Sequence, residues 1–141
     1  MLRITDQAER RALQVTLCLL AVVPIGAGLA GALIGLASPG AGAGRAAAIL
    51  DSHYRYLSGL LLAIGVLYMG LVPRIECRGG AIRMLTAAVV TGGSVRLLGL
   101  LEAPHPDPVV VFALAMELLV APALALWQAR VASRVRAGAR R

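Results

Sequence analysis

The apolar positions of this chain come in long blocks separated by brief polar breaks, with no short alternating pattern. Residues 12–37 and 56–73 carry no charge, residues 84–101 are apolar except for Arg96, and residues 108–129 are apolar except for Glu117. The breaks read SPGAGAG (38–44), PRIECRGG (73–80) and EAPHPDP (102–108), rich in the Gly, Pro and charged residues that punctuate helices. A helical membrane span needs roughly 20 mostly apolar residues. A membrane strand would alternate every second residue over about 10 residues, and only helices satisfy their own backbone in lipid as single segments. The pattern therefore predicts an all-α protein, an integral membrane four-helix bundle. It forms a single membrane domain with spans at about 12–37, 56–73, 84–101 and 108–129 and a basic tail over 130–141.

Composition strengthens this picture. Of 141 residues, 59% are hydrophobic and only 15% charged, and the mean hydropathy is +0.81. Soluble domains carry about 25% charged residues. The net charge is +7, and every basic residue apart from the two His is Arg. A basic chain invites a nucleic-acid reading. Here, however, nearly all the Arg residues lie outside the apolar blocks and no aromatic residues are interleaved with them, so no nucleic-acid partner is expected. Arg flanking membrane spans is the simpler account. Cys18, inside the first block, and Cys77, in an Arg-rich break, share no motif spacing, so neither a disulfide nor a metal site is expected from them.

The Arg residues also orient the spans. Arg3, Arg10 and Arg11 precede the first span; Arg74, Arg78 and Arg83 lie between the second and third; Arg130, Arg134, Arg136, Arg140 and Arg141 follow the fourth. The other breaks hold only Arg45, with Arg55 just before the second span. The positive-inside rule then places both termini in the cytoplasm of a multi-pass cell inner-membrane protein. This requires an even number of spans, which four satisfies. A cleaved signal peptide is the rival reading for residues 1–43, with small residues near 37–43 as the cleavage site. Signal h-regions run about 7–15 residues, though, and Asp6 and Glu9 precede a longer uncharged run.

Within lipid, helices associate through close packing and polar contacts. Pro24, Gly28, Gly31 and Gly35 fall on one face of the first span, suited to packing inside the chain or to a homodimer through Gly31 and Gly35. Arg96 shares its face with Gly92, Gly93 and Gly99. Glu117 shares its face with Ala113, Ala121 and Gln128, and Pro122 should kink that helix. Counted from the outer ends, Arg96 lies roughly 8 Å deep and Glu117 roughly 13 Å deep. Each charge is costly there, so an Arg96–Glu117 pair, or a protonated Glu117, is expected. Asp51 and Arg55 are four residues apart and share a face if their helix begins before residue 51. Ser58, Gly59 and Gly65 continue that face. Asp51, His53, Arg55, Arg96 and Glu117 thus form an expected polar cluster in the outer half of the bundle.

Two readings of that cluster follow. It is a charge network fixing helix register, or a pocket for a small lipophilic or anionic ligand, in a non-enzymatic protein without a cofactor. The alternative is a membrane-embedded enzyme or a carrier of small solutes or protons. In that case Glu117 and His53 would move protons, and Arg55 and Arg96 would clamp an anion. No catalytic motif is present, and the inner halves of the spans offer few polar residues for a continuous path. Asp51-x-His53 and His105-x-Asp107 could on paper supply metal ligands, but no tighter signature supports a metal. Tyr54, Tyr56, Tyr68 and Trp127 sit near span ends as interfacial anchors. The Arg-rich tail should lie along anionic head groups, so membrane lipids are the expected partners.

The motifs LDSHYRYLSG (50–59), VPRIE (72–76), GGSVRLLGL (92–100), the Pro-rich turn, and MELL (116–119) leading to PALALWQ (122–128) resemble a family of small bacterial membrane proteins known as domain of unknown function 4345. The resemblance covers most of residues 50–130. It implies a four-helix membrane fold and no established activity.

Overall fold

The computed structural model describes residues 4–36, 44–102, 105 and 107–139. These form helices α1 (Ile4–Ile34), α2 (Arg45–Leu71), α3 (Gly79–Glu102), α4 (Pro108–Ala115) and α5 (Ala121–Ala139), with a 3₁₀ segment at Val72–Cys77 and a π-turn at Met116–Val120. No strand occurs among the described residues. Four helical stretches are long and apolar enough to cross a membrane: Gln7–Ile34, Arg45–Cys77, Gly79–Glu102 and Pro108–Gly138.

The helices run past the uncharged blocks. α1 begins eight residues before the apolar run starts at residue 12, and at 31 residues it is roughly 46 Å long, more than a hydrocarbon core of about 30 Å. α2 begins at Arg45, not near residue 56. Charge does not end a helix when an Asp and an Arg sit four residues apart on one face. The basic tail continues α5 without interruption through its described part. The Gly/Pro-rich break at 38–43, the cleavage site considered near 37–43, Arg3, Arg140, Arg141, Pro104 and Pro106 lie outside the described residues.

Local chemistry sets each boundary. α1 stops at Gly35, whose φ of 71° places it in the left-handed region that glycine reaches without a Cβ penalty. Its N–H returns to the Gly31 carbonyl at 3.0 Å. α2 gives way where Pro73 has no N–H to offer Met69. The Val72 N–H tightens onto that carbonyl instead, and the chain turns at Arg74 (φ −125°, ψ 43°). α4 opens on Asp107, whose Oδ1 accepts from the Val109 N–H at 2.7 Å, with Pro108 in the first turn.

The expected disturbance at Pro122 takes a definite form. The Ala121 N–H bonds to the Met116 carbonyl, five residues back, as part of the π-turn. The next amide would serve Leu118 in an α ladder or Glu117 in a π ladder, but it belongs to Pro122, which has none. The π-turn is thus how the helix approaches a residue that cannot donate.

The chain divides into two compact units, residues 16–72 and residues 1–15 with 73–141. In the first, α1 and α2 meet through small residues. A Cβ on Gly28 would lie 2.5 Å from the Leu62 nitrogen and 2.7 Å from the Ser58 carbonyl oxygen, and one on Gly65 would lie 2.7 Å from Ile25 Cγ1. Gly31 is covered by Ser58 and Tyr54 of the same chain. In the second unit the core is Leu13, Ile75, Ile82, Gln128, Val131 and Ala132, all buried. Large apolar side chains such as Leu33, Met84, Leu101, Val109 and Leu126 face outward. Water would penalise such a surface, whereas lipid does not.

Candidate functional site

In the unit of residues 16–72, Asp51 and Arg55 form a clasp over the end of α1. The last carbonyls of any α-helix lack intrahelical donors. Here Arg55 Nη1 donates to the carbonyls of Ala32 and Leu33, both at 2.9 Å, and Nη2 donates to Ile34 at 3.1 Å. Its Nε donates to Asp51 Oδ2 at 2.7 Å, while Asp51 Oδ1 accepts from the Leu36 N–H at 2.7 Å. A cation at a helix C-terminus also complements the helix dipole. A side chain at position 35 would collide with both Asp51 and Arg55, so Gly35 is required twice, for its backbone and for the space. His53 takes no part: it is exposed, and its Nδ1 donates back to the Ile49 carbonyl at 3.0 Å.

In the other unit, Arg96 of α3 and Glu117 of the π-turn form a two-pronged ion pair. Nε donates to Oε2 at 2.9 Å and Nη2 donates to Oε1 at 3.0 Å, the side-by-side geometry that makes Arg–carboxylate pairs strong. Gly93 permits the approach: a Cβ there would lie 2.8 Å from Glu117 Cβ and 2.9 Å from Leu118 Cδ2. Gly92 and Gly99, expected to share in this packing, do not; a Cβ on either would meet nothing within 4 Å. The Arg96 side chain is 41% exposed and that of Glu117 18%. Among the described residues, Arg96 Nη1 has no hydrogen-bond partner.

The same unit holds a network that sequence reasoning missed. Glu9 accepts from Trp127 Nε1 at 3.3 Å and pairs with Arg134. Arg10 pairs with Glu76 at 2.9 Å and donates to the Pro73 carbonyl at 3.2 Å. Gln128 is buried, stacks over Gly79 and donates to the Ile75 carbonyl at 2.7 Å. These contacts join the start of α1, the 72–77 turn and α5, where three Arg-bearing segments converge. Glu9 and Glu76 carried no visible signal of partners so distant in the chain.

Of the five expected cluster residues, the structure thus brings Asp51 to Arg55 and Arg96 to Glu117. A shallow open groove of about 300 Å³ lies along Ala27, Ala30, Gly31, Ile34, Gly35 and Tyr54, lined by none of the five. Asp107, considered as a metal ligand, caps α4, and no group of three or more His, Cys, Asp or Glu residues suited to a metal occurs among the described residues.

Among the described residues, helices throughout, four of them long and apolar enough to cross a membrane, and the ion pairs Arg10–Glu76, Asp51–Arg55, Arg96–Glu117 and Glu9–Arg134 define the class. The family model described as domain of unknown function (DUF4345) matches residues 12–128; the chain belongs to that family. No curated protein and no solved structure matches it.

Proposed function

We propose that this protein is a non-enzymatic, four-span integral protein of the bacterial inner membrane with both termini in the cytoplasm, and that its intramembrane charges tie helices together. The observation that carries this reading is how the carboxylates are used. Asp51, Glu117, Glu9 and Glu76 each engage a guanidinium of the same unit, which leaves none of the four free as a general acid or base. Orientation rests on the convergence of the three Arg-bearing segments through Arg10–Glu76 and Glu9–Arg134, at the end the positive-inside rule assigns to the cytoplasm.

Cys77 supplies a native reporter, since it is exposed beside that end whereas Cys18 is half-buried in α1. A membrane-impermeant maleimide should label Cys77 in inverted vesicles and leave it unlabelled in intact spheroplasts. The reverse pattern would overturn the orientation. Release of the protein from membranes by alkaline carbonate would overturn the spanning assignment.

A further inference from the structure

We infer that the outer half of the fourth span is hinged: α4 swings as a unit about the π-turn, and the Arg96–Glu117 pair is the latch that holds it against α3. This goes beyond the reading above and does not depend on which face of the membrane is cytoplasmic.

The hinge is a gap in the backbone ladder. In an uninterrupted α-helix the carbonyls of Glu117 and Leu118 would accept from the amides of residues 121 and 122. The Ala121 N–H goes to the Met116 carbonyl instead, and Pro122 has no N–H to give. Glu117 and Leu118 thus receive no amide from the ladder, and a helix bends where its ladder is interrupted. Glu117 lies on the α4 side of this gap.

The two sides are held very differently. C-terminal to the gap, α5 is fixed to other segments. Gln128, Val131 and Ala132 are buried, Gln128 donates to the Ile75 carbonyl, and Trp127 and Arg134 both reach Glu9. N-terminal to the gap, no residue of α4 is buried, and its side chains, PVVVFALA, carry no hydrogen-bonding group. Val109 and Phe112 face outward. Lipid solvates such a surface without directional contacts, so it sets no angle for the helix. Residues 103–107 tether the outer end of α4 to α3, which makes the motion a bounded swing. What ties the α4 side of the gap to α3 is the two-pronged pair of Glu117 with Arg96. The close approach of Gly93 to Glu117 sits at the same level and serves as the fulcrum. A bend of about 20° carried along the roughly 12 Å of α4 moves its outer end by about 4 Å.

The test is dipolar electron paramagnetic resonance on the full chain in mild detergent, carrying Cys18→Ala and Cys77→Ala. One spin-label pair, at Leu101→Cys and Val109→Cys, reads α4 against the outer end of α3. A second, at Met84→Cys and Leu126→Cys, reads α5 against the inner end of α3. All four positions are exposed. With the latch intact each pair should give one narrow distance. Arg96→Leu should add a population displaced by about 4 Å at the Leu101–Val109 pair and leave the Met84–Leu126 pair unchanged. The double variant Arg96→Leu, Glu117→Leu removes the latch without an unpaired charge. It should behave in the same way, and it carries the test if the single variant does not fold. Adding Pro122→Ala returns an amide to the ladder and should restore the narrow distance even without the latch. A Leu101–Val109 distance unchanged in both latch variants would overturn the hinge. So would equal broadening of the two pairs, or a distribution that stays broad with Pro122→Ala. A broad Leu101–Val109 distribution with Arg96 and Glu117 in place would overturn the latch.

Discussion

Two carboxylate–arginine pairs do different work in this molecule. Asp51 and Arg55 lie on one helix, and every nitrogen of Arg55 is committed, to a carboxylate and to the open carbonyls of α1. Arg96 and Glu117 lie on different helical segments, and half of the guanidinium remains uncommitted. The first pair completes a backbone that would otherwise end with bare acceptors in an apolar setting. The second ties α3 to the π-turn that precedes Pro122. An ionisable residue in a membrane helix is therefore informative through its remaining valences and not simply through its presence.

The sharpest way to break this comparison is to remove one charge at a time. Arg96→Leu leaves Glu117 without its partner. It should cost about 2 kcal/mol in thermal unfolding in detergent, below the roughly 3–5 kcal/mol of a fully buried pair, because the Arg96 side chain is not enclosed by protein. Arg96→Leu combined with Glu117→Leu should recover most of that loss. A double variant as unstable as the single one would show that the pair does more than neutralise itself.

A smaller effect is expected at the clasp. Arg55→Gln removes donors from three carbonyls and releases Asp51, so the amides of Gly35 and Leu36 should exchange with deuterium roughly ten-fold faster. Amides of α3 should be unaffected. Acceleration spread evenly over the chain would mean that the clasp holds more than the end of α1.

The smallest effect separates glycines that look alike in sequence. Gly93→Ala forces a Cβ to within 3 Å of Glu117 and Leu118 and should destabilise by about 1 kcal/mol. Gly99→Ala enters open space and should be neutral or stabilising by up to about 1 kcal/mol, the helix-propensity gain. If the two variants melt alike, Gly93 is not the point of contact.

Much of the architecture was legible in the chain because hydrophobic blocks of that length have few folded solutions. The four helical stretches, the turn at Pro73 and the break of regular α-helix before Pro122 all follow from residues that either must avoid water or cannot donate a backbone hydrogen bond. The Arg96–Glu117 contact was legible too, from depth along two antiparallel spans and the cost of an unpaired charge. The Asp51–Arg55 spacing predicted a shared helix face, and α2 extends far enough to provide it.

What the sequence by itself determined, then, is the class of fold, the number of membrane-competent helices and the residues that would need partners. Tertiary structure alone decided which partners they found. Nothing in the local sequence told Arg55 to reach for Ala32, Leu33 and Ile34, or separated Gly93, pressed against Glu117, from Gly92, which meets nothing. Nor did it announce that Glu9 would meet Trp127 and Arg134. The reason is physical. Hydrophobicity acts on each residue wherever it lies, so it can be read one position at a time. Hydrogen bonds and close contacts depend on ångström distances between segments far apart in the chain, and those distances exist only once the helices have packed.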